Sequence, residues 1–151
     1  MIVANKYTSQ EIRLDTLDRD FTRADIELHG LDHAGASYEG RVFLNNTDAD
    51  GTTRLSAESG YAGSFYIFGH GGCFGDEGHC DVHPRRLYDP RPAHPLSTRR
   101  KVMIATEAVR RAIEQGETAT VTVVPIITGT NEKCDTENAL KFDKVVIVTY
   151  R

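Results

Sequence analysis

The 151-residue sequence has no tryptophan, two methionines and three cysteines. Because three is odd, Cys73, Cys80 and Cys134 cannot all pair within one chain, and a disulfide-dense secreted scaffold is excluded. No apolar run approaches the roughly 20 residues that a membrane-crossing helix needs. Residues 1–15 lack the basic, apolar and small-residue order of a secretory leader, so a cytoplasmic location is the default expectation. Excess positive charge is missing too. The formal net charge is −4, and Arg99-Arg100-Lys101 is the one basic cluster, which excludes the phosphate-neutralising surface that nucleic acid requires. No internal period and no low-complexity tract occurs, so solenoids and propellers are excluded.

What is present suits one folded domain. Apolar residues make up 39% and charged residues 26%, enough for a core without an obligatory staple. Residues 1–23 read as a polar N-terminal arm with one strand, and residues 24–151 as the domain proper. From Ala24 to Gly30 the chain alternates apolar with polar at period two, as does Tyr38 to Leu44, with Tyr38, Val42 and Leu44 on one face. Residues 45–51 are turn-forming Asn, Asp and Gly. Tyr61 to Phe68 reads as an aromatic strand, Lys101 to Ile104 as another, and the β-branched runs Thr118 to Ile127 and Phe142 to Tyr150 as central strands. Thr106 to Gln115 has helical spacing, with Thr106 as cap and Gly116 as stop. The expected fold is mainly β, a single β-sandwich of jelly-roll type with one short helix.

Residues 69–96 interrupt this pattern with five glycines and four of the five prolines, a long loop that must be held by something to be ordered. Within fourteen residues of it stand His70, Cys73, His79, Cys80 and His83. Imidazole and thiolate together suit copper(I) or zinc, with iron a further option for the imidazoles, so these five are the candidate metal ligands. The Cys-x6-Cys spacing fits no finger motif, and a Cys73–Cys80 disulfide closing a surface loop accounts for the same residues equally well. Asp76 and Glu77 read as solvated, His94 as an ordinary loop residue, and Cys134 in the polar 130–134 segment as a partner for either other cysteine. His29 and His33 flank a turn and would join the site only if the fold brings them there. Gly63-Ser64-Phe65 is not a nucleophile elbow, and the glycines of 69–75 lack the Lys-Ser/Thr ending of a phosphate loop. Catalytic residues are accordingly assigned to none.

Three stretches in order resemble the C-terminal, Lys-Phe-Asp-Val type domain of plant-type polyphenol oxidases and tyrosinases. They are the strand Tyr38-Glu39-Gly40-Arg41-Val42-Phe43-Leu44-Asn45-Asn46; Gly60-Tyr61-Ala62-Gly63-Ser64-Phe65 with His70 following; and the helix from Thr106 leading into Val121-Thr122-Val123-Val124-Pro125. Lys141-Phe142-Asp143 stands near the C-terminus rather than early, and residues 71–95 have no counterpart in the family pattern. The dicopper domain of those oxidases, with its helical His triads, is absent from this sequence.

The resemblance implies a non-catalytic accessory or shielding domain, partnered with the catalytic domain or chain of a type 3 copper phenol oxidase, whose dicopper entrance it covers with a bulky side chain. Tyr61, Phe65, Tyr66 and Phe68 are the candidates for that side chain, although aromatics at this spacing in a strand more often serve as core. The chain is then not an enzyme by itself, and copper, if held, is held by the 70–83 loop. Two other readings remain: a small cupin-like metalloenzyme using His70, His79 and His83 with His29 or His33, and a structural domain that forms homo-oligomers.

Overall fold

A computed structural model of the chain describes residues 1–130 and 134–151, so most of the polar segment expected beside Cys134 lies outside the described residues. Strands β1 (Ile2–Val3), β2 (Tyr7–Thr8) and β3 (Ile12–Arg13) are followed by the long strands β4 (Arg23–Leu31), β5 (Ser37–Leu44) and β6 (Tyr61–Ile67), with a 3-10 turn at Ala57–Ser59. After the loop come β7 (Arg99–Ile104), helix α1 (Thr106–Gln115), β8 (Thr118–Ala119), β9 (Val121–Gly129) and β10 (Lys144–Tyr150). One sheet runs β1-β9-β5-β6, with β2 also on β9, and a second runs β10-β4-β7; all of these pairs are antiparallel. β3 and β8 form a small third ladder. The expected mainly β sandwich with one helix is the observed architecture.

The core lies between the two large sheets. Tyr38, Val42 and Leu44 of β5, Phe65 and Ile67 of β6, and Val121 and Val123 of β9 meet Ile26 and Leu28 of β4, Met103 of β7 and Ile147 of β10. Each fully buried aliphatic side chain here contributes about 1.5–3 kcal/mol relative to exposure. β9 is apolar on both faces from Val123 to Ile127 because its other face is covered as well: Val124 and Ile126 pack with Phe43, Ala49 and Tyr61 in a satellite cluster. Gly40 sits under the Phe65 ring, where any Cβ would strike it, so the sheet needs glycine at that point.

Three details depart from the sequence-based expectation. The arm carries three two-residue strands rather than one, because the backbone groups it brings to the sheets must find partners, and its apolar Leu14 and Phe21 are buried in the main core. Thr106 is the first helical residue and not the cap; its hydroxyl accepts the Ala24 N–H of β4 at 3.1 Å, tying α1 to the sheet while Ala105 occupies the cap position. The strand expected from Phe142 begins only at Lys144, because Lys141-Phe142-Asp143 lies against the β4 bulge and pairs its backbone there. The Asp32 N–H donates to the Lys141 carbonyl at 2.9 Å, the Asp143 N–H to the His29 carbonyl at 2.8 Å, and Phe142 meets Tyr7 edge-on. Gly30 has φ 68° there, and a side chain on it would collide with the Asp143 carboxylate.

Candidate functional site

Between β6 and β7 the chain leaves the sandwich for thirty-one residues, 68–98, without a strand or helix. It is anchored at both ends against the β4–β5 turn. The N–H groups of His70, Gly71 and Gly72 donate to the carbonyls of His33, Gly35 and Ala34 at 3.1, 2.9 and 2.7 Å, and the Gly69 N–H donates to Ser37 Oγ at 2.9 Å. Gly69 passes so close to the Gly35 and Ala36 backbone that no Cβ fits. At the far end, His33 Nε2 donates to the Ser97 carbonyl at 3.0 Å, while its ring lies 5.1 Å from that of His70.

Beyond the anchor, Cys73 and Cys80 are joined in a disulfide, Cα–Cα 6.0 Å, which was one of the two outcomes the spacing left open. His79 folds back over this closed loop, its Nδ1 2.6 Å from the Asp76 carbonyl and its Nε2 3.3 Å from Cys80 Sγ. His94 bridges to the same place, with Nε2 donating to the His79 carbonyl at 3.2 Å and Nδ1 accepting the Leu96 N–H at 3.1 Å. An open cavity of about 320 Å³ results, bordered by His70, Phe74, His79, Cys80, His94 and Leu96. A second, of about 190 Å³, lies beside Gly72 and is bordered by the free thiol of Cys134 with Asp32, Asp135 and Lys141.

The five expected ligands therefore divide. Among the described residues, the donor atoms of Cys73, His79 and Cys80 lie within 4.8 Å of one another and form the one group of this kind. His70 borders the cavity but its ring faces His33, and His83 belongs to neither group nor cavity. The disulfide changes what the sulfurs can do, because a bonded sulfur carries no thiolate charge and is not a metal ligand in that state. His29 stays on the outer face of the β4 sheet, hydrogen-bonded to buried Glu27 at 2.8 Å, and plays no part in the loop.

The aromatic candidates divide as well. Phe65 is 3% exposed in the core, and Tyr61 packs on Phe43 at 5.6 Å with its hydroxyl on Ser64 Oγ at 2.9 Å. Tyr66 and Phe68, at the outer face and end of β6, are 63% and 92% exposed. Leu87 and Tyr88, which the sequence reading passed over, stand out in solvent at a turn where Tyr88 has φ 63°. That turn is braced from inside: Arg85 Nη2 donates to the Asp89 and Arg91 carbonyls at 2.5 and 2.6 Å, and Arg91 grips Asp89 through two nitrogens. The Arg91 guanidinium holds the Asp89 carboxyl below the usual carboxylate range. Pro84 and Pro90 bracket the turn, and His94 also sits beside a proline, which were the available sequence signals.

No protein-family model matches the chain, and no curated protein matches it in sequence. Solved structures do. A latent aurone synthase, a polyphenol oxidase from natural source, aligns with 97% of this chain and 25% of its own at 18% identity and TM-score 0.53. The recombinantly expressed latent enzyme co-crystallised with hexatungstotellurate(VI) aligns with 95% of this chain and 23% of its own, at 18% identity and TM-score 0.54. The same preparation soaked in H2O2 aligns with 100% and 26%, at 16% identity and TM-score 0.54. The chain thus has the fold of one part of a polyphenol oxidase and spans about a quarter of that length.

Proposed function

We propose that this chain is a non-catalytic accessory domain that covers the active-site entrance of a type 3 copper phenol oxidase, supplied either as a separate chain or as part of a longer one. The observation that carries the reading is the alignment of nearly the whole chain with only about a quarter of latent polyphenol oxidase chains. The sequence motifs at residues 38–46, 60–65 and 121–125 point the same way. Tyr66 and Phe68 are the shielding side chains, since a ring held in solvent on strand β6, or on the residue directly after it, loses little entropy on entering a partner's pocket. Copper binding falls to the same loop once the Cys73–Cys80 bond is reduced, since Cys73, His79 and Cys80 are gathered there and the bonded sulfurs are not themselves ligands.

The test adds the purified chain to an activated phenol oxidase catalytic domain and follows catechol oxidation. A saturable fall in rate is expected, weakened by Phe68→Ala and Tyr66→Ala together. Unchanged turnover at all concentrations of added chain, in a mixture that also shows no complex by sedimentation, refutes the shielding role.

A further inference from the structure

We infer that the 73–80 loop is a redox-gated copper(I) site: closed while the disulfide is formed, and opened by reduction to a three-coordinate site of Cys73 Sγ, Cys80 Sγ and His79 Nε2. The inference deepens the copper-binding side of the accessory reading. Its basis is the gathering of those three atoms within 4.8 Å, at side chains that solvent reaches.

The tautomer of His79 is set by its surroundings. The Asp76 carbonyl, 2.6 Å from Nδ1, can only accept, so Nδ1 carries the hydrogen and the neutral ring leaves a lone pair on Nε2. That lone pair faces Cys80 Sγ at 3.3 Å. A backbone carbonyl fixing one ring nitrogen so that the other can bind metal is the usual outer-shell arrangement of metal-binding histidines. Gly75 and Gly78, at φ 118° and 80°, let the loop turn back beneath the ring; a Cβ on Gly75 would lie 3.0 Å from His79 Cε1.

The number of donors selects the ion. Among the described residues the gathered donors number three; His94 also borders the cavity, but its Nε2 serves the His79 carbonyl and its Nδ1 the Leu96 N–H, and the His70 ring lies against His33. Structural zinc almost always takes four protein ligands, whereas a soft set of two thiolates and one imidazole suits copper(I).

The gate balances as a two-electron exchange. A dithiol reductant attacks one sulfur through its thiolate, the Cys73–Cys80 bond breaks, and the reductant leaves as its own disulfide, having delivered two electrons and two protons to the pair. Binding then forms two Cu–S bonds and one Cu–N bond, and the two thiol protons pass to solvent.

The experiment uses the full chain under anaerobic conditions, with copper(I) presented against a chromophoric copper(I) chelator. The reduced chain is expected to take one equivalent and the oxidised chain none at the same chelator concentration. Cys73→Ser, Cys80→Ser and His79→Ala each remove stoichiometric binding, Cys134→Ser keeps it, and X-ray absorption of the loaded chain shows two sulfurs and one nitrogen around copper. Unchanged circular dichroism of the variants separates ligand loss from unfolding. Equal binding by oxidised and reduced chain, or loss of binding on Cys134→Ser alone, overturns the inference. Catechol-oxidation latency is read separately: copper binding without latency retains this site and removes the shielding role, and latency without copper binding does the reverse.

Discussion

The sandwich and the 68–98 loop are held together in opposite ways. In the sandwich, order comes from apolar burial repeated over two sheets, so that no single hydrogen bond matters much. In the loop almost every apolar side chain is exposed, and order comes from a few discrete ties: the anchors to residues 33–37, one disulfide, His94, and the Arg85–Asp89–Arg91 brace. A burial-held framework fails as a unit, whereas a tie-held excursion can change locally while the framework stands. That difference is what a chemical or redox role in the loop requires.

The contrast is broken most severely from the sandwich side. Leu28→Ala empties space at a fully buried position between the sheets, and a loss of about 2–5 kcal/mol is expected in denaturant unfolding, with the loop lost along with the core. Gly30→Ala should cost about 1–3 kcal/mol, since it forces a side chain into a left-handed backbone against Asp143; the mutant's lowered melting temperature measures it.

Tyr38→Phe goes the other way. Among the described residues the buried Tyr38 hydroxyl has no hydrogen-bond partner, so its removal should raise stability by about 1 kcal/mol. Burial, and then the charge of Asp32, push the Tyr38 pKa upward. A raised folded-state value means the neutral hydroxyl is favoured on folding, so this contribution is intact below the ordinary tyrosine value of about 10 and is lost as pH rises above it. Unfolding curves taken from neutral to strongly alkaline pH should therefore fall for the wild-type chain in that range, and less for Tyr38→Phe.

The smallest global effect should come from the loop. With Cys73→Ser and Cys80→Ser combined, the entropy regained by the unfolded chain is matched by entropy regained in the folded loop, so the midpoint should move by less than about 1 kcal/mol. Hydrogen exchange should instead accelerate within 73–83 and leave the β4, β5 and β9 amides unchanged. Accelerated exchange throughout the sheets would show the loop to be part of the cooperative unit and end the distinction between the two regions.

Period-two alternation at 24–30 and 38–44 and helical spacing at 106–115 made most of the elements legible, because burial on one face leaves its period in the residue types. The strand pairings were not legible, since contacts between β4 and β10 or β5 and β9 join residues more than seventy-five positions apart. The role of Thr106 was missed for the same reason: the hydroxyl that could have capped a helix locally found a better donor on β4.

The site divided along similar lines. Residue chemistry alone located the His/Cys concentration at 70–83 and the mainly β class, because glycine, proline and soft donors have local meanings. Only the tertiary structure decided that Cys73 pairs with Cys80, that His79 and not His70 or His83 joins them, that His94 closes the cavity, and that Phe68 rather than Phe65 faces solvent. The first three of those outcomes depend on where a loop without periodicity comes to rest, set by hydrogen bonds to a distant turn that no local pattern encodes, and the last on which face of β6 meets the opposing sheet.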